Sequence, residues 1–231
     1  MIIDTHCHFD MMPNPEAFIR EKEAAHDIVI GMTNLPSHFK MGMAHVATCK
    51  SIRLALGLHP LLAAESRDEL VLFKKLLDQT SYIGEIGLDF SREGIATKEQ
   101  QIAVLRDILA SLRGKKKVIS VHSRRAEKEL LEILTEFEIE NVIFHWYSGP
   151  IKLIPSILDR GYYFSVNEAM CISKNGKAII AQIPRERVLT ETDAPYNEHC
   201  DFSRTLQALG MSEQEVHNNF KRILGALVNK P

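Results

Sequence analysis

One alternation runs the length of this 231-residue chain. Short apolar runs rich in Ile and Val are each followed by a longer segment, and several of these segments show helical periodicity. The apolar runs lie near Ile2–His6, Asp27–Met32, Ile52–Leu58, Tyr82–Leu88, Lys117–His122, Asn141–His145, Tyr162–Val166 and Arg187–Thr192. Strands this continuously apolar suit a parallel sheet covered on both faces, and parallel neighbours require a crossover of a dozen or more residues. The segment Glu99–Arg113 puts Ile102, Leu105, Ile108, Leu109 and Leu112 on one helical face. Ser123–Phe137 and Ser212–Val228 are similar, and Ser66 with Glu69 and Ser212 with Glu215 match the capping-box spacing. Eight units leave about 29 residues each, close to a minimal strand–helix repeat. The expected fold is α/β, a closed (β/α)8 TIM barrel forming one domain over residues 1–231. An open doubly wound sheet is the alternative, since periodicity does not show closure.

Charge narrows the function. Lys and Arg number 28 against 30 Asp and Glu, a net charge of −2. No protein-wide basic field exists for nucleic acid, so a polyanion must be held by local groups or metal ions. No run approaches the roughly 20 apolar residues that cross a bilayer. The opening MIIDTHCHFD lacks the basic region and long apolar run of a secretory signal, so a cytoplasmic chain with no membrane partner is expected. Cys7, Cys49, Cys171 and Cys200 are scattered, which fits free thiols better than a disulfide framework. The run Lys115–Lys117 precedes the fifth strand and reads as a solvated loop on the opposite face of a barrel.

Of ten histidines, five (His6, His8, His59, His122 and His145) fall at or just past the C-terminal end of a proposed strand. Chance would put about one there, and in a barrel these ends form the single face that carries the active site. Asp4, Glu85, Asp89, Glu191 and Asp193 occupy the same ends. Along a strand alternate residues share a face, so Asp4, His6 and His8 point together. Two imidazoles so placed can chelate one divalent ion, with Asp4 orienting one of them from behind. Glu85, an inward glutamate at the strand end within Gly84–Asp89, has two oxygens that can bridge two metals.

His122 and His145 can each ligate a second ion. Arg124, placed at the start of a helix, can clamp a phosphate or carboxylate. Asp193 suits a metal ligand that also takes a proton from water, and Glu191 joins Asp4 in a supporting role. His59 either donates to a substrate oxygen or caps its strand exit. Trp146 either forms a substrate wall or packs against the rim. His26, His38, His45, His199 and His217 read as surface residues.

These motifs resemble the TatD-like family of metal-dependent deoxyribonucleases. The matching stretches are DTHCHFD at 4–10, GLHP at 57–60, GEIGLDF at 84–90, HSR at 122–124, FHWYSG at 144–149, ETDAPY at 191–196 and NFKRIL at 219–224. The resemblance implies a TIM-barrel hydrolase of DNA phosphodiester bonds with two divalent metal ions (Mg, Mn or Zn). It implies one ion on His6, His8, Glu85 and Asp193, and another on Glu85, His122 and His145. His59 and Arg124 match positions near substrate phosphate. The loops after Asp89 and Asp193 depart from the family pattern, so the metal centre transfers more securely than the substrate. The wider amidohydrolase superfamily often bridges its ions with a modified lysine at the fourth strand; Glu85 in that place favours the nuclease branch over a small-molecule amidohydrolase or esterase. Divergent members also occur in bacterial anti-phage defence gene clusters, which admits a barrel that works within a larger complex.

Overall fold

The computed structural model describes residues 1–63, 67–197 and 199–228. All eight expected strands form: β1 (Ile3–Cys7), β2 (Ile28–Gly31), β3 (Ile52–Leu54), β4 (Tyr82–Gly87), β5 (Val118–His122), β6 (Val142–His145), β7 (Tyr163–Val166) and β8 (Val188–Thr190). They pair in parallel, in chain order, within two runs, β1 to β3 and β4 to β8. Both seams between the runs are bonded. At one, Leu56 and Ile83 form a parallel bridge, with Leu56 N donating to Tyr82 O (3.0 Å) and Gly84 N to Leu56 O (3.0 Å). At the other, Asp193 N donates to His6 O (2.9 Å) and His8 N to Ala194 O (2.8 Å). The sheet is therefore a closed ring, a TIM barrel, and the open alternative falls.

The helices cover the ring as their periodicity dictates. Lys98–Leu112 buries Leu105, Ile108, Leu109 and Leu112 against the sheet. The capping box at Ser212 forms, with Glu215 N donating to Ser212 Oγ (3.3 Å) and Ser212 N donating to the Glu215 carboxylate (2.9 Å). The corresponding expectation at Ser66 lies outside the described residues. Among those described, no helix is long and apolar enough to cross a membrane. Gly87 of β4 is paired with His122 of β5 and has φ +143°; a Cβ there would lie 2.0 Å from the His122 carbonyl oxygen. Only glycine lets the two strands approach this closely where they deliver Glu85 and His122.

Four expectations need correction, the last of them at Asp4. The helix expected over Ser123–Phe137 is confined to Glu127–Glu136. Arg125 takes a left-handed φ of 59° and Ala126 N donates to Ser123 O, so Arg124 sits in a turn before the helix and not in its first turn. Lys117 is not solvated: it is buried and its Nζ donates to the carbonyls of Leu77 (2.9 Å) and Thr80 (2.5 Å), which tie the end of the preceding helical segment to β5.

Asp4 does not orient an imidazole. Its carboxylate accepts from Thr192 N (3.0 Å), Thr192 Oγ1 (2.7 Å) and the backbone N of His6 (3.3 Å). It is a fastener between β1 and the segment after β8, because Thr192 N and Oγ1 have no strand partner at that corner of the ring. Burial pushes its carboxyl up to about 7, so its charge is a cost and its hydrogen bonds are the gain. We expect Asp4→Ala to lose about 1–3 kcal/mol in urea unfolding, by leaving buried donors unpaired. Asp4→Asn, which keeps an acceptor for Thr192 N, should lose clearly less; equal losses would show that charge, not hydrogen bonding, holds the seam.

Candidate metal centre

The ring brings residues from six strand ends to one point. Glu85 lies at its middle, its side chain 4% exposed. Around its Oε2 stand His8 Nε2 at 3.3 Å and His6 Nε2 at 3.7 Å. Asp193 Oδ1 faces the same two nitrogens, at 3.6 Å from His6 and 3.7 Å from His8, which are themselves 3.2 Å apart. Around Oε1 stand His122 Nδ1 at 2.7 Å and His145 Nε2 at 2.9 Å. Each carboxylate oxygen thus has its own group of donors.

The first group has the dimensions of a cation site. Four donors tetrahedrally placed at 2.0–2.2 Å from one ion are about 3.3–3.6 Å from each other, against the 3.2–3.7 Å found here. His6 Nδ1 is 2.8 Å from Ser120 Oγ. With that nitrogen's proton accepted by the serine, Nε2 presents a bare lone pair toward the equally placed Nε2 of His8. Two lone pairs at this separation repel unless a cation or proton lies between them. Burial lowers the His6 pKa well below its usual value, with the positive His145 adding to the effect, so His6 stays neutral and keeps a lone pair for a ligand.

The second group shows the same demand for positive charge in another way. Burial disfavours a charged His145, yet Glu85 and Glu191 outweigh it and raise the pKa well above the ordinary value. His122 is likewise raised against burial by Glu85 and Asp89. Burial also opposes ionisation of Glu85, but His59, His145 and His122 together hold its carboxyl well below the usual range. Asp193 is pushed up to about 7, first by burial and then by the negative charges of Glu85 and Glu191. A divalent cation would take the place of the protons on His145, His122 and Asp193, and His6, His8 and Asp193, His6, Glu85 and His145, and His59, Glu85 and His122 are each close enough to share one.

Supporting side chains sit behind the donors. Glu191 accepts from Trp146 N (3.0 Å) and Asn167 Nδ2 (3.0 Å), bonds to Ser165 Oγ, and lies 3.5 Å from His145 Nδ1. Glu191, read from the sequence as a supporting residue, thus lies behind His145.

His59 differs from the other imidazoles. Its Nδ1 accepts from Leu61 N (3.2 Å), and burial lowers its pKa to about 4. A neutral ring whose Nδ1 is an acceptor carries its proton on Nε2. That nitrogen lies 3.6 Å from Glu85 Oε2. His59 therefore caps the turn after β3 through Nδ1 and presents an N–H to the site through Nε2, which favours a hydrogen-bond donor over a third metal position and leaves both roles read from the sequence open to it.

The centre opens into a cavity of about 650 Å³. Among the described residues, Arg124 is the one Lys or Arg lining it; its guanidinium is exposed and 3.8 Å from the Glu93 carboxylate. Trp146 is half-buried, lining the cavity on one side and packing against the core on the other. Two residues that sequence reasoning gave no role also matter here. Tyr196 stands edge-on to the His8 ring at 5.1 Å and its hydroxyl accepts from Asn34 Nδ2 (3.2 Å). Ser120 supports His6; its position two residues before His122, on the same face of β5, was the available signal.

We expect isothermal titration with Mn²⁺ or Zn²⁺ to show wild-type uptake that Glu85→Gln weakens by about 100-fold or more, with thermal stability retained. Unchanged affinity in Glu85→Gln would remove Glu85 from the ion-binding set.

Comparison with known proteins agrees with this geometry. A family described as TatD related DNase matches residues 3–223. An uncharacterized metal-dependent hydrolase of Methanocaldococcus jannaschii is 27% identical over 203 residues, covering 84% of this chain and 78% of that protein. The Homo sapiens protein named deoxyribonuclease TATDN3 is 27% identical over 154 residues, 61% of this chain and 56% of its own length. The crystal structure of YjjV, a TatD homologue from Escherichia coli, superposes with a TM-score of 0.84 at 24% identity, covering 100% of this chain and 98% of that one. This chain belongs to the TatD-related DNase family, as a metal-dependent hydrolase.

Proposed function

We propose that this chain hydrolyses DNA phosphodiester bonds, releasing nucleotides from a strand end, with two divalent cations held on either side of Glu85. The observation that carries the reading is the division of donors between the two Glu85 oxygens. His6, His8 and Asp193 face one, and His122 and His145 face the other. The relative named a deoxyribonuclease supports DNA as the substrate class. Four imidazoles and two carboxylates suit Mn or Zn, and Mg is served through the carboxylates. When bound by these residues, such ions would lower the pKa of a water toward about 7 and offset phosphate charge.

The side chains do the rest. Asp193, at the edge of the cavity and with its carboxyl raised toward neutrality, is placed to accept the proton of an attacking water. His59 offers its Nε2–H to a phosphate or leaving-group oxygen. Arg124, at the mouth, can meet a neighbouring phosphate with two parallel hydrogen bonds. Trp146 and Tyr196 provide aromatic walls for a base. Among the described residues lining the cavity, no Ser or Cys stands in a nucleophile–base pair, so water is the attacking group.

The test is product analysis. Purified protein with Mg²⁺, Mn²⁺ or Zn²⁺ should release nucleotides from DNA oligonucleotides, lose that activity in chelator, and lose about 10³-fold or more in kcat in Asp193→Asn. His59→Gln should lose about 10²–10³-fold, as removal of one charge-facing donor does elsewhere. Failure to cut any nucleic acid under all three cations, with hydrolysis of an amide or lactone instead, would replace this reading with a small-molecule amidohydrolase.

A further inference from the structure

Behind His122 lies a carboxylate that the proposed reaction does not use. Asp89, 1% exposed, places Oδ2 at 2.8 Å from His122 Nε2, on the opposite side of the ring from Glu85. We infer that Asp89 is a positioning residue: it holds the Nε2 proton of His122, so that the nitrogen left to give up its proton to a cation is Nδ1, which faces Glu85 Oε1 at 2.7 Å. This rests on the metal-centre reading above and extends it to a carboxylate that lines the same cavity beside His122.

Asp89 is itself fixed on every side. Its Oδ1 accepts from Ser91 N (2.8 Å), and its own N donates to Gln101 Oε1 (2.8 Å). Gln101, also 1% exposed, donates to Gly94 O (2.8 Å) and Thr97 Oγ1 (3.1 Å). One buried amide on the helix Lys98–Leu112 therefore pins both ends of the loop after β4. Leu88 N donates to His122 O (2.9 Å) and Phe90 N to Arg124 O (2.9 Å), so residues on both sides of Asp89 are stitched to the strand end that carries His122.

The geometry makes the carboxylate specific. An imidazole that ligates through one nitrogen needs an acceptor on the other, and a carboxylate there fixes both tautomer and ring orientation. An asparagine at 89 can keep its oxygen on Ser91 N, which turns its NH₂ toward His122 Nε2. Two donors then face each other unless His122 moves its proton to Nδ1, where it blocks ligation. The substitution is nearly isosteric, so the fold is conserved while the tautomer is reversed.

The experiment is stepwise Zn²⁺ titration of the full chain by calorimetry, wild type beside Asp89→Asn. We expect the wild type to take up two ions, and Asp89→Asn to bind the first unchanged and the second about 10–100-fold more weakly. Long-range ¹H–¹⁵N correlation spectra of the zinc-loaded wild type should show His122 protonated at Nε2. This second readout stands whether or not the variant folds. Two ions with unchanged affinities in Asp89→Asn, or a wild-type His122 protonated at Nδ1, would overturn the role of Asp89 and leave the metal centre standing. A wild type that binds no divalent ion would overturn the metal centre and this inference with it.

Discussion

Glu85 is a carboxylate almost fully withdrawn from water, and a buried charge of that kind persists only when other charges or strong donors surround it. Here the groups that hold Glu85 ionised are the imidazoles of His59, His145 and His122, with His6 and His8 beside its other oxygen. These residues are electrostatically coupled, because each is placed relative to the same two oxygens. Removing Glu85 would leave raised-pKa imidazoles without a partner; removing an imidazole would leave a carboxylate without charge balance. The chemistry of the mouth follows from this mutual dependence, since a site that must gather positive charge around buried carboxylates is a site that accepts divalent cations.

The barrel makes such a gathering feasible. Eight parallel strands point their C-terminal ends at one face, and closure is completed by bonds that run through the site itself. Asp193 N donates to His6 O and His8 N to Ala194 O, so the two segments that supply three donors are also the final seam of the ring. Asp4 and Thr192 reinforce the joint from below. Stability and chemistry are therefore shared properties of the β1–β8 corner. At the β4–β5 corner they are shared again, through the close pass of Gly87 against His122.

The strands and the six central side chains are readable from sequence because their signals are local. A continuous apolar run marks a strand buried on both faces, and a polar residue at its end in a barrel has one place to go. What sequence does not reveal depends on distant partners. Asp4 reads as a support for His6 or His8 by proximity along the strand, yet its partner is Thr192, which only closure of the ring brings near. Lys117 reads as solvated within a basic run, and its burial follows from two carbonyls at the end of a preceding segment. The late start of the helix expected from Ser123 comes from a left-handed Arg125, a conformation that no neighbouring glycine announces. The tautomer of His59 hangs on a backbone N–H two residues away, in a loop whose path periodicity does not describe.

The most direct measurement is an anomalous difference map from crystals of this protein grown with Mn²⁺ or Zn²⁺, recorded at the absorption edge of the ion. Two peaks flanking the Glu85 carboxylate are expected, one in contact with His6, His8 and Asp193 and the other with His122 and His145. Absence of any peak at Glu85, or ions bound only at sites away from the barrel mouth, would contradict the account.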